Sequence, residues 1–267
     1  MPEPKAFSRH VEVAAHRGYS RFYPENTLPA FEAALRLPVD SLEFDLHMTR
    51  DREIVLMHDH KVDRTTDGNG PVRSFTSSQI KTLDAGSWKG EEFAGTRVPL
   101  FSELLDMLAD YPDITINVEL KDYPEHGAEW AFESAGRIIR MMEKHKVLDR
   151  CFINSWSGEM LEYVDREYDH SLRLHGYFPL ELMGKNLTRD PYEYLYCICL
   201  FGSKEKPVCD RESFDYVISR GVAPWVHYPD DNPDSYEEAL RYGAQLITAN
   251  DPAFALAYLQ EHGYRKP

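Results

Sequence analysis

Val11-Glu12-Val13-Ala14-Ala15-His16-Arg17-Gly18 and, further along, Ser41-Leu42-Glu43-Phe44-Asp45 decide the fold. Each is a short strand-like run that ends in charged side chains. Two more follow the same plan: Ile54-Val55-Leu56-Met57 leads into His58-Asp59, and Ile114-Thr115-Ile116-Asn117-Val118 leads into Glu119-Leu120-Lys121. Polar residues gathered at several strand ends are what an active site on a parallel barrel requires, because all the strand tips open onto one face.

Further strand-like runs at 151–154, 172–175, 194–201, 222–227 and 245–248 alternate with segments of helical periodicity at 28–37, 101–109, 128–145, 158–167, 211–219 and 235–242. That alternation predicts an α/β fold, a (β/α)8 TIM barrel, as a single domain over 1–267. A chain of 267 residues suits one such barrel and buries a large core without disulfides. The nine strand candidates exceed the eight places, so one lies outside the barrel or is no strand. The irregularity falls near strands 2 and 3: Thr49-Arg50-Asp51-Arg52-Glu53 is too short for a helical crossover of about a dozen residues. Either the flanking strands form a hairpin or the chain crosses in extended form. A second irregularity, an insertion at about 60–97, is rich in Thr, Gly, Asp and Ser, with Thr76 and Gln79 at capping-box spacing. Such an excursion from a strand tip reads as a lid or binding loop.

The net charge of −15 opposes partners that are themselves polyanions, which excludes nucleic acid and anionic membrane surfaces but not a small phosphate ester in a local basic pocket. Met1-Pro2-Glu3-Pro4-Lys5 lacks the features of a secretory leader, and no apolar run is long enough to anchor the chain in a bilayer. Cys151, Cys197, Cys199 and Cys209 show neither CxxC nor metal-finger spacing; they read as buried thiols of a reduced, cytoplasmic protein.

Glu43 and Asp45 stand two apart on a strand, so both carboxylates project from one face. Like charges held together require a proton or a cation between them. All-oxygen ligands suit a hard cation, Mg²⁺ or Ca²⁺, and Glu119 on a nearby strand tip is the natural third ligand. An isolated pair of this kind would more simply be a surface pair beside a basic residue. Here the neighbouring tips add His16 and His58, each terminating an apolar run, as a general acid and base pair. Arg17 and Lys121 are then available to an anionic oxygen, although Lys121 shares a face with Glu119 and could simply pair with it. Metal, cations and an acid/base pair together fit phosphoryl transfer. The nucleotide loop GxxxxGK[ST], the GxGxxG turn and the GxSxG elbow are all missing from the sequence.

The chain closely resembles the glycerophosphodiester phosphodiesterase family. The resemblance rests on His16-Arg17-Gly18, Pro24-Glu25-Asn26-Thr27 with Phe31, Glu43-Phe44-Asp45, His58-Asp59, Asp63-Arg64-Thr65-Thr66 with Gly68 and Gly70, and Val118-Glu119-Leu120-Lys121. It continues through Val98-Pro99-Leu100, Asn154-Ser155-Trp156, Trp225 and Ile247-Thr248-Ala249-Asn250-Asp251-Pro252. The resemblance implies a barrel with a divalent metal on Glu43, Asp45 and Glu119, and with His16 and His58 as acid and base. It further implies that Arg17 binds phosphate, that Lys121 binds phosphate or glycerol oxygens, and that Glu25 supports the site. The reaction it implies is hydrolysis of a glycerophosphodiester to sn-glycerol 3-phosphate and an alcohol, by way of a cyclic glycerophosphate.

The second half departs from the pattern. Trp225-Val226-His227-Tyr228 stands where many members have a Thr-Val-Asn segment after the Trp, Ala249 follows Thr248 where an acidic residue is usual, and 194–209 matches nothing in the family. These positions, Trp225 among them, face the substrate side of such a barrel, so the leaving alcohol stays open. A lysophospholipid or another sugar phosphodiester is the alternative, with Trp88, Phe93, Tyr177, Phe178 and Trp225 forming an apolar channel or else plain core. A non-catalytic binding barrel would have lost a ligand or an acid/base residue, and every one is present.

Overall fold

A computed structural model describes residues 10–266; Met1 to Lys5, read above for a leader, lie outside them. Among the described residues, nine strands form one sheet: β1 (Glu12–His16), β2 (Ser41–Met48), β3 (Ile54–Leu56), β4 (Thr115–Leu120), β5 (Cys151–Asn154), β6 (Arg173–Phe178), β7 (Leu195–Leu200), β8 (Ala223–His227) and β9 (Leu246–Ala249). Eight run parallel in the order β1-β9-β8-β7-β6-β5-β4-β2, and pairing of β1 with β2 closes the cylinder. The fold is a (β/α)8 barrel. The ninth strand, β3, pairs antiparallel with β2, Leu46 opposite Leu56 and Met48 opposite Ile54. The hairpin is therefore the correct alternative for the short connection. Its turn is closed by Thr49, whose amide donates to Glu53 O at 2.8 Å and whose hydroxyl donates to Asp51 at 2.7 Å.

The outer layer comprises α1 (Leu28–Leu35), α2 (Ser77–Ile80) in the insertion, α3 (Phe101–Met107), α4 (Ala128–Lys144), α5 (Gly158–Glu167), α6 (Arg211–Ser219), α7 (Pro233–Tyr242) and α8 (Pro252–Glu261). Periodicity missed α8, because Pro-Ala-Phe-Ala-Leu-Ala-Tyr-Leu is apolar on nearly every side and has no stripe to detect. Phe31, Phe44 and Phe101 interlock between helices and barrel, with ring centroids 5.9 and 5.7 Å apart. Phe44 points outward into that layer, so alternation along β2 turns Glu43 and Asp45 inward. Below the mouth, the barrel interior is filled by Ala14, Phe152, Cys197, Trp225 and Leu246.

Between β3 and α3 the chain makes its long excursion around a small core of its own, built from Val55, Met57, Val62, Val72, Ile80, Ala85 and Val98. Thr76 and Gln79 form a reciprocal capping box at the start of α2. All four cysteines are free and buried.

The turn after β1 admits only glycine at position 18. Gly18 has φ +80°, and an added Cβ would lie 2.6 Å from the carbonyl carbon of Ala30. We expect Gly18→Ala to cost about 2–4 kcal/mol, from left-handed strain plus the clash, visible as a lowered urea midpoint.

Candidate active site

The sheet register assembles the site. β1 pairs with β2 so that His16 stands beside Glu43, and β2 pairs with β4 so that Asp45 stands beside Glu119. The three carboxylates are buried, with oxygen atoms within 4.8 Å of one another. Burial, together with Asp45 and Glu119, pushes the Glu43 carboxyl well above its ordinary range. Asp45 goes the other way: burial alone would raise it, but Lys121 and Arg17 outweigh burial and keep it ionised. Lys121 Nζ lies 3.2 Å from Asp45 Oδ1 and also pairs with Glu119, while Arg17 Nε lies 3.2 Å from Asp45 Oδ2. Two cations thus face three carboxylates, and the excess negative charge shows in Glu43. That donor set fits a hard divalent cation.

Arg17 and Asn26 both adopt left-handed backbone, each with φ 56°. For Arg17 this costs about 1–2 kcal/mol, and it is held by hydrogen bonds from Arg17 N to Glu43 O (2.9 Å) and from Asn26 N to Arg17 O (3.1 Å). Asn26 grips Asp45 twice: its Nδ2 donates to Asp45 Oδ2 at 2.8 Å, and its Oδ1 accepts from Asp45 N at 3.2 Å. The turn therefore fixes both the Asp45 carboxylate and the guanidinium beside it.

The two histidines have different partners. His16 Nδ1 lies 2.6 Å from Asn250 Oδ1. Ser20 also donates to that oxygen, at 3.1 Å, while Asn250 Nδ2 donates to Pro229 O at 2.9 Å, so the amide orientation is set by its neighbours. An amide oxygen only accepts, so His16 carries its proton on Nδ1 and presents a lone pair on Nε2, 3.8 Å from Glu43. Burial, with His227 and Arg17 adding to it, holds His16 well below the usual histidine range. His58 Nδ1 instead meets a carboxylate, Asp59, at 2.6 Å. Arg64 braces Asp59 and also forks onto Glu25 at 2.8 and 2.9 Å, and Glu25 receives Arg17 at 2.8 Å. Glu25 thus links the guanidinium of the β1 turn to the histidine of the β3 tip.

These groups open into a cavity of roughly 180 Å³, lined on one side by His16, Arg17, Glu43, His58 and Glu119. Trp156, Tyr177 and Phe201 form a stacked wall on another side, with Trp156 3.9 Å from Tyr177 and 5.6 Å from Phe201. Tyr177 also donates to Glu119 at 3.2 Å. Trp88, Phe93, Phe178 and Trp225 are not in this lining. Trp225, expected on the substrate side, lies in the packed interior, 4.7 Å from Phe152 and 4.8 Å from His175, because its β8 position falls one layer below the mouth. The inward residue one layer higher is His227, whose ring lies 4.2 Å from His16. Of the aromatics named from sequence as a channel or plain core, Tyr177 does line the cavity, whereas Asn250 and His227 were not singled out from sequence. Asn250 and His227 lie in the two segments that depart from the family pattern, which was their only signal.

The sequence matches the model of the glycerophosphoryl diester phosphodiesterase family over residues 16–252. The chain belongs to this family. It is 38% identical over 162 residues to a glycerophosphodiester phosphodiesterase of Caldanaerobacter subterraneus, a match covering 59% of this chain and 63% of that protein. It is 33% identical over 190 residues to one from Bacillus altitudinis, covering 70% and 72%. The match thus spans a little under two thirds of the first relative's length. Among solved structures, an Oleispira antarctica phosphodiesterase in complex with the product sn-glycerol-3-phosphate superposes with a TM-score of 0.81 at 21% identity, over 93% of this chain and 96% of that one.

Burial pushes His175 down to about 3 and, with Arg17 adding to it, His227 down to about 4, despite the bond from His227 to Thr248 O. An unfolded chain binds these protons near the ordinary histidine pKa of about 6.5, so between there and about 4 the unfolded state holds more protons. Stability should therefore fall as pH drops through that window. Urea midpoints measured across it should fall less steeply in His175→Asn than in the parent.

Proposed function

We propose that the protein hydrolyses glycerophosphodiesters to sn-glycerol 3-phosphate and an alcohol, with Mg²⁺ or Ca²⁺ held by Glu43, Asp45 and Glu119. The observation that carries this reading is the convergence of three buried carboxylates, two cations and two differently partnered histidines on one barrel mouth. A bound divalent ion would supply Lewis-acid polarisation of a phosphate oxygen. Arg17 and Lys121 bind the remaining anionic oxygens, Arg17 pre-aimed by its bond to Glu25. His16, with Nδ1–H committed to Asn250, takes the proton of the glycerol hydroxyl adjacent to the phosphoester on Nε2. As that oxygen bonds to phosphorus, the bond from phosphorus to the leaving oxygen breaks, and His58 delivers a proton to it. Asp59 holds the His58 ring through Nδ1 at 2.6 Å, which orients it for that role. Water then opens the cyclic glycerophosphate, with the two proton transfers reversed.

The small cavity and its short aromatic wall favour a compact, water-soluble diester over a lysophospholipid. Among the described residues no helix is long and apolar enough to cross a membrane, and the four free thiols agree with a cytoplasmic location.

Release of sn-glycerol 3-phosphate from glycerophosphocholine by EDTA-stripped protein should return with Mg²⁺ or Ca²⁺ supplied alone. No product with either ion, from folded protein, would refute the reading. His16→Ala and His58→Ala should each lower kcat by about 10²- to 10⁴-fold. If Glu43→Gln abolished turnover while His16→Ala left it unchanged, the proton-transfer assignment would be wrong and the metal assignment would stand.

A further inference from the structure

A second cavity, roughly 290 Å³ against 180 Å³ for the first, opens on the same barrel mouth. Its walls carry five rings: His47, His60, Tyr123, His126 and Trp130. The strands fix where it lies. His47 follows Asp45 by two residues on β2, so it stands on the same face about 6–7 Å further out. Tyr123 follows Lys121 by two, and its hydroxyl donates to Glu119 Oε1 at 3.4 Å while its ring lines the second cavity. Tyr123 is thus the wall shared with the carboxylate site. His47 Nε2 also lies 3.4 Å from the backbone oxygen of His58. The groove therefore begins beside the histidine assigned above to the leaving oxygen.

Its charge is reversed relative to the chain as a whole. Lys61 and Arg73 border it, both exposed, and among the described residues neither has a carboxylate partner. Arg73 donates only to a backbone oxygen, that of His126, at 3.1 Å. The two are brought together by the bridge between Lys61 and Pro71 and by the bond from Val72 N to His60 O at 2.9 Å. The one carboxylate in the lining, Asp122, is already taken by His47 (2.9 Å), Met48 N (2.8 Å) and Ser134 (2.7 Å). Trp130 adds a flat apolar face to the wall, and Arg52 covers its ring at 4.3 Å. An anionic group in the groove would meet both cations, and His60, held down to about 4 by burial, His47 and His126, offers an uncharged partner for a hydroxyl.

We infer that this groove is the leaving-group subsite and that it selects diesters whose departing polyhydroxy alcohol carries a second anionic group, a phosphate. The inference rests on the phosphodiesterase reading above and adds the identity of the alcohol.

A matched pair of substrates tests it: glycerophosphoglycerol, whose departing glycerol is uncharged, and the same diester with a phosphate on the terminal hydroxyl of that glycerol. At low salt the wild-type protein should favour the phosphorylated diester by about tenfold in kcat/KM. That ratio should fall towards one in Lys61→Gln/Arg73→Gln, and also as NaCl rises to about 0.5 M. A wild-type ratio near or below one would overturn the inference and leave the phosphodiesterase reading intact. So would a high ratio that survives the double substitution in protein with an unchanged melting curve. Hydrolysis of neither substrate would refute the phosphodiesterase reading, and the subsite with it.

Discussion

Three carboxylates buried at the mouth of a barrel are the constraint on which the rest of this structure depends. Taken out of water, Glu43, Asp45 and Glu119 repel one another with little solvent to screen them. The chain answers with two cations, Lys121 buried and Arg17 partly so, each needing its own support. Lys121 comes from the same strand as Glu119 and reaches across to Asp45. Arg17 comes from a turn whose backbone must be left-handed to aim it, and that turn is closed by Gly18 against α1 and by Asn26 against Asp45. The strained turn and the buried charges hold each other in place.

The hairpin explains how a histidine from outside the cylinder joins residues from inside it. β3 continues the sheet beyond β2 antiparallel, so its end returns towards the mouth and delivers His58 to the rim, with its side chain about a third exposed. His16, from inside the barrel, is only 15% exposed and leans on an amide, whereas His58 leans on a carboxylate tied through Arg64 and Glu25 to Arg17. One enclosed imidazole and one rim imidazole with a charged partner are unlike environments, which supports the different proton-transfer roles proposed for them.

Much of this was legible in the sequence because strand alternation is local. Glu43 with Asp45, and Glu119 with Lys121, reveal a shared face by spacing alone, and apolar runs ending in charge mark the mouth. Trp225 was misplaced for the same local reason: alternation says that it faces inward but not at which depth, and depth is set by register with β7 and β9. Asn250 reaches His16 across 234 positions, a contact that exists only because the barrel closes. The short link at 49–53 limited the topology to two choices, and hydrogen bonding of β3 to β2 alone decided between them. The second groove was invisible, since it joins β2, the insertion and the start of α4 through contacts that no periodicity encodes.

Recognition of an anion, as proposed above, is compatible with an acidic chain because of distance. At physiological salt the field of a surface carboxylate fades within about 8 Å, so the net charge of −15 governs solubility and large polyanionic partners more than it governs a ligand already in a cleft. Inside the cleft the count is local. Glu25 and Asp59 are occupied by Arg17 and Arg64, and Asp122 by His47, so the nearby carboxylates are spent on protein partners. Among the described residues, Lys61 and Arg73 at the rim of the second groove have no carboxylate partner. Local pairing thus leaves free cations beside the mouth of a strongly acidic chain, where an anion can meet them.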